Sequence, residues 1–168
     1  MDLLESWRAR IVKPWLRGRL LDIACGYNNL VRAHGQGVGV DVHPWEGIDV
    51  QIGDAARLPF TSGVFDTVSI VAALNHIPNR TEALAEVRRV LRPDGHLLVT
   101  MIGPWTGRLA HTLFRHDEDE RGGMVDGELD GMPPAQVRAC LRDGGFTVSR
   151  EVRFQFGLNR LYVAGPAR

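Results

Sequence analysis

Three carboxylates stand where apolar runs give way to loops: Asp22 in "LLDIACGYNN", Asp41 after "GVGV" and Asp54 after "QIG". An acid at the end of a buried strand is placed to accept from paired ribose hydroxyls, from an amino group, or to face a cation. Gly26 supplies a tight turn and close backbone approach right after the first run. His76, in "ALNHIP", has the one side chain whose ordinary protonation range spans neutrality, which suits a general base. Its bland alternative is packing on a bound ring or capping a turn. Further along, "RLAHTLFRHDEDERGGMVDGELDGM" offers His111, His116, Asp117, Arg121 and Glu128 as hydrogen-bonding groups for an acceptor substrate. A solvated loop is the competing reading of that stretch.

These groups need elements to hold them. Leu20, Leu21 and Ile23 form a short apolar run, as in a strand buried on both faces of a parallel sheet, and Val38, Val40 and Val42 make a second strand. Only about ten residues separate the two, which is the lower limit for a helical crossover, so the helix between them must be short. Val50 and Ile52 form a third strand, and "FDTVSIVAAL" a central fourth. In "NRTEALAEVRRVLRPDG", Leu84, Val87, Val90 and Leu91 recur at helical spacing, with Pro93 and Gly95 as the stop, and "HLLVTMI" follows as a fifth strand. A helix after Pro133-Pro134 ends at Gly144-Gly145. Phe146, Val148, Val152, Phe154 and Phe156 then pair with "LYVAG" as an antiparallel hairpin at the sheet edge. The expected class is α/β, a doubly wound, mostly parallel sheet with an antiparallel C-terminal hairpin. Residues 103–134 exceed what such a sheet requires and read as a lid inserted into a single domain of 168 residues.

Composition limits the partners. Twenty basic residues balance twenty acidic ones, so no global field draws the chain to nucleic acid, and small-molecule chemistry is the better expectation. The N-terminal stretch carries Trp7, Arg8, Arg10, Lys13, Trp15, Arg17 and Arg19; a helix covering the sheet is favoured over one lying on a membrane surface. No apolar run is long enough to span a bilayer and no signal-peptide order is present, so the expected location is cytoplasmic. Cys25 and Cys140 are isolated thiols, and no acidic cluster with metal-ligand spacing follows the fourth strand, so no metal is expected.

The segments "LLDIACGYNN", "GVGVDVHP", "GDAARLPFTSGVFDTVSIVAALNHIPN" and "EALAEVRRVLRPDGHLLVT", in that order, resemble the class I S-adenosylmethionine-dependent methyltransferases, in particular the type 11 group. The resemblance implies a seven-stranded sheet with its last strand antiparallel. It places Asp22, the backbone of Ala24, Cys25 and Gly26, and Asn28 around the methionine part of S-adenosylmethionine. It puts Asp41 with neighbouring Val42 at the ribose, and Asp54 with Ala55 at the adenine. Ala73 to His76 would line the site beyond the fourth strand. The cofactor's sulfonium is a cation, which acids fit better than they fit the pyrophosphate of a nicotinamide cofactor. The family turn reads acid-x-Gly-x-Gly-x-Gly, whereas Ala24 and Asn28 stand at its first and last glycines. Ala24 should cost little because its methyl is small, and Asn28 should adopt left-handed angles and cap the short helix with its side chain. The implied activity is methyl transfer to a hydroxyl of a small molecule or sugar. The competing function is a cofactor-binding regulator or adaptor without transfer activity.

Overall fold

The computed structural model describes residues 3–103 and 126–167. Helix α1 (Leu3–Val12) and a single 3-10 turn lead into β1 (Leu20–Ile23), a strand buried along its whole length. Helix α2 (Asn29–His34) is short, as the crossover length requires, and returns the chain to β2 (Gly37–Asp41). Strand β3 (Val50–Gln51), strand β4 (Phe65–Val71), helix α3 (Arg80–Val90), strand β5 (Leu91–Ile102), helix α4 (Pro134–Asp143), strand β6 (Phe146–Phe154) and strand β7 (Asn159–Pro166) complete the described order.

The strands form one seven-stranded sheet in the order β3-β2-β1-β4-β5-β7-β6. β1 is parallel to both β2 and β4, β4 is parallel to β5, and β7 runs antiparallel to both β5 and β6. Strand order therefore reverses between β1 and β4, which opens a crevice at their carboxyl ends, where such sheets bind ligands.

Each face of the sheet has its own apolar layer. Leu84 and Val87 of α3 and Val137 and Leu141 of α4 pack with Ile23, Val68, Ile70 and Val99 on one face. On the other, Val12 of α1 and Leu30 and Val31 of α2 pack with Leu98, Phe154 and Leu161, and Ala9, Ile11 and Trp15 lie against them. The apolar side of α1 is thus used on the sheet, while Arg10, Lys13, Arg17 and Arg19 are exposed. Full burial of a Leu, Ile or Val side chain contributes about 1.5–3 kcal/mol, so these layers fix how the strand ends are presented.

Local departures from the sequence expectations have identifiable causes. The third helix ends at Val90, before Pro93: Leu91 is extended and pairs with Phe65, and Arg92 is held out of the helical region by the proline after it. Val42 and Ile52 fall just outside their strands, and Leu74 belongs to a 3-10 turn (Leu74–His76). Phe156 does not continue β6; Gln155 and Phe156 take left-handed angles, φ 50° and 57°, and turn the chain into β7.

Candidate functional site

The crevice begins at the turn after β1. Gly26 has φ 52° and donates its N–H to Asp41 Oδ2 at 3.0 Å, while His43 N–H donates to Asp41 Oδ1 at 3.0 Å. Asp41, buried at the end of β2, thus braces the glycine turn. Each of its oxygens keeps further acceptor capacity for a hydroxyl. Asp22 is 4% exposed and accepts from Ser69 Oγ of β4 at 2.5 Å. Burial pushes its carboxyl up to about 7; the Ser69 bond opposes that rise, and the negative Asp41 adds to it. A carboxyl poised in this way gains most from a cationic ligand.

Ala24 and Asn28 both occupy left-handed backbone, φ 56° and 60°. Asn28 therefore does take over glycine's conformational role. Its side chain, however, makes no cap to α2: Nδ2 donates to Gly47 O at 3.1 Å and to Asp49 Oδ2 at 2.9 Å. Gly39 makes this possible, since a Cβ there would lie 2.0 Å from Asn28 Oδ1. The Gly39 N–H completes the arrangement by donating to Asp49 Oδ2 at 2.7 Å. The small size of Ala24 is not the relevant quantity. Its methyl carries the steric cost of a left-handed angle, about 1–2 kcal/mol.

At the mouth of the crevice Tyr27 and Trp45 stand with ring centroids 5.3 Å apart, and His43 lies 4.4 Å from Trp45. Val42 is exposed beside them. Cys25 is half-buried, its thiol pushed up by burial and then by the neighbouring Asp22 and Asp41, so it is held as a neutral thiol. Beyond β3, Asp54 accepts from Ala56 N–H at 2.8 Å and from Asn79 Nδ2 at 3.0 and 3.1 Å, which keep its carboxyl below the usual range. Ala55 is buried next to it.

The fourth strand delivers Ala72, in left-handed backbone, then Ala73 and the 3-10 turn bearing His76. Asn75 Nδ2 donates to Leu129 O at 2.8 Å, and a carbonyl can only accept, so the orientation of this amide is determined. The same Nδ2 lies 3.0 Å from His76 Nε2, which must then be the lone-pair nitrogen. His76 Nδ1 carries the hydrogen and donates to Glu128 Oε2 at 3.1 Å. Glu128 is not presented to an acceptor as expected. Its side chain is 5% exposed and orients the imidazole. Arg80 secures the junction by donating to Leu74 O at 3.0 Å, Asn75 O at 2.8 Å and Gly127 O at 2.8 Å.

The crevice thus gathers Asp22, Ala24, Cys25, Gly26, Asn28, Asp41 and Val42, and a second wall carries Asp54, Ala55, Ala73 and His76. His111, His116, Asp117 and Arg121 lie outside the described residues. Among those described, no group of acids, histidines and cysteines has the makings of a metal site, and no helix is long and apolar enough to cross a membrane. Sequence reasoning missed Asp49, Ser69 and Arg80, and took Asn75 only as one residue of the Ala73–His76 lining. Asn75 adjoins the singled-out His76, whereas Asp49 and Ser69 meet their partners only through the sheet.

Comparison with known proteins agrees with this fold. Residues 17–99 match the type 11 methyltransferase domain. A demethylmenaquinone methyltransferase of Thermus thermophilus is 29% identical over 94% of this chain and 88% of its own. The ubiquinone/menaquinone biosynthesis C-methyltransferase UbiE of Bordetella avium is 32% identical over 58% of this chain, which spans about half of that relative, 49%. Among solved structures, a SAM-dependent methyltransferase from Aquifex aeolicus superposes with a TM-score of 0.68 at 14% identity, covering 94% of this chain and 88% of its own, a likeness of fold. The chain belongs to the type 11 methyltransferase-domain family and is a class I S-adenosylmethionine-dependent methyltransferase.

Proposed function

We propose that the enzyme methylates a small hydroxylated ring of the quinol kind, with His76 as general base and Glu128 as the residue that positions it. The observation that carries this reading is the Glu128–His76 pair at the carboxyl end of β4, on the same sheet edge as the acidic crevice. The relatives are named as a demethylmenaquinone methyltransferase and a ubiquinone/menaquinone biosynthesis C-methyltransferase, which favours an aromatic acceptor over the sugar hydroxyl expected from sequence. A sugar hydroxyl would meet the same base, and it becomes an outcome of the test.

The crevice fits the donor. Asp22 is a buried carboxyl that a positive ligand would draw into its ionised form, Asp41 has oxygen lone pairs for ribose hydroxyls, and Asp54 with the Ala55 backbone can hold an adenine. Bound S-adenosylmethionine supplies an electrophilic methyl group. Glu128 holds the proton on Nδ1 of His76 and directs the Nε2 lone pair away from itself. Asn75 caps that lone pair with an amide hydrogen, and an acceptor hydroxyl would displace the amide. His76 Nε2 then takes the hydroxyl proton, which raises electron density on the oxygen and on the ring carbons beside it. Attack by a ring carbon would form the new carbon–carbon bond as the donor's methyl–sulfur bond breaks, leaving S-adenosylhomocysteine, and that carbon's hydrogen would then leave as a proton. Attack through oxygen needs only the first proton removal.

The test is transfer of labelled methyl from S-adenosylmethionine to demethylmenaquinol and, in parallel, to a panel of sugars, with the product mapped by mass spectrometry. Label on the quinol ring supports the proposal. Label on sugar alone would overturn the aromatic reading.

A further inference from the structure

The turn between β6 and β7 is held in a costly form. Gln155, Phe156 and Gly157 take φ 50°, 57° and 85° in succession, and Phe156 is 98% exposed. Two of the three are not glycine, and such angles are costly where the surroundings impose them. Beneath the turn, Asn159 Nδ2 donates to Gln155 Oε1, both side chains being buried. Their other polar atoms, Gln155 Nε2 and Asn159 Oδ1, have no hydrogen-bond partner among the described residues. One unpaired donor and one unpaired acceptor therefore lie on adjoining amides.

This pair sits at the working edge of the sheet. Asn159 pairs with Ile102, the last residue of β5, and Gly103 N–H donates to Leu158 O at 3.4 Å. Ile102 O in turn accepts from Met132 N–H at 3.3 Å, in the segment whose Glu128 and Leu129 dock on His76 and Asn75. A continuous wall thus runs from the His76 turn through residues 128–132 and 102–103 to Gln155 and Asn159.

We propose that Gln155 and Asn159 are an acceptor-binding clamp. Gln155 Nε2 donates to one oxygen of the substrate and Asn159 Oδ1 accepts from a neighbouring hydroxyl, while Phe156 and Leu158 lie against its apolar remainder. The chemistry recognised is a hydroxyl beside a carbonyl or second hydroxyl, held on a larger apolar body. Leaving buried amide atoms unpaired is destabilising, a loss that a folding role would not retain but a binding role recovers. Access requires the Phe156–Leu158 turn to shift, and release of its left-handed angles offsets part of that cost.

The inference rests on the quinol reading above, and its test separates the two. In Gln155→Met/Asn159→Leu, both amides become apolar groups of similar size. S-adenosylhomocysteine affinity by calorimetry should stay within about twofold, KM for demethylmenaquinol should rise at least about tenfold with kcat less affected, and Tm should hold or rise. An unchanged KM in the folded double variant would overturn the clamp, as would a fall in Tm, which marks the amides as structural. Wild-type protein inactive on demethylmenaquinol would retire the acceptor reading instead, and the Tm of the double variant alone then decides the clamp.

Discussion

Asn28 Nδ2 donates to Asp49 Oδ2 at 2.9 Å, joining the turn after β1 to the loop between β2 and β3. The same carboxylate oxygen receives the Gly39 N–H, so one acid ties the cofactor turn to the strand that ends in Asp41. An asparagine in a glycine's place has therefore become a brace. Asn28→Gly should relieve the left-handed angle but lose two side-chain bonds, for a net destabilisation of about 1 kcal/mol in urea unfolding. A double-mutant cycle of Asn28→Gly with Asp49→Ala should give a coupling of about 0.5–1.5 kcal/mol. Zero coupling would mean the bond carries no weight.

Ala24 has φ 56°, and a glycine there would avoid the steric cost while losing more backbone entropy on folding. The first effect, about 1–2 kcal/mol, exceeds the second, about 0.5–1 kcal/mol. Ala24→Gly should raise stability by roughly 0.5–1 kcal/mol. Thermal unfolding checks this, and a lower Tm would contradict the strain.

Asp22 gives the protein a pH dependence of definite sign. Its carboxyl titrates near 7 when folded against an ordinary value of 3.8, so between these limits the folded state binds the extra proton. Stability from this group is present below about pH 4 and is lost as pH rises toward 7. The carboxyls of Asp54, of Asp66, which accepts from the Arg19 N–H, and of Glu86, which accepts from Arg89, are depressed and act oppositely, their contribution being lost only at more acidic pH. Asp22→Asn should flatten the decline in Tm between pH 5 and 8. It should also abolish proton release on binding S-adenosylmethionine, measured calorimetrically in buffers of different ionisation enthalpy.

Glu128→Gln keeps an acceptor for His76 Nδ1–H but removes the charge that stabilises the protonated ring. Loss of kcat by about 10–100-fold is expected, within the range that proton transfer by a positioned base supplies, and the limb of the pH–rate profile that reports His76 should move to lower pH. S-adenosylhomocysteine affinity should not change. An unshifted profile would assign Glu128 to holding the loop alone.

Much of the fold could be read directly from residue pattern, because β1, β4 and β5 are continuous apolar runs and the C-terminal hairpin alternates around its turn. The placement of Asp22, Asp41 and Asp54 at strand ends was legible for the same reason, because the close of an apolar run is visible in sequence. The contacts that tune the site were not. His76 meets Glu128 across 52 residues and Asn28 meets Asp49 across 21, distances that spacing along the chain does not encode. The end of α3 was misplaced because strand pairing at Leu91 outweighed its helical periodicity. Phe156 looked like a strand residue because alternation does not report a left-handed turn.

If the edge formed by β1 and β2 holds the methyl donor despite its altered glycine turn, Asp41 is the residue on which binding depends. Calorimetric titration of S-adenosylmethionine into the wild-type protein and Asp41→Ala tests it directly. The wild type should bind, and the variant should lose about 1–3 kcal/mol, the scale of removing a charged hydrogen-bond partner. Equal affinity in a folded Asp41→Ala protein would contradict the site.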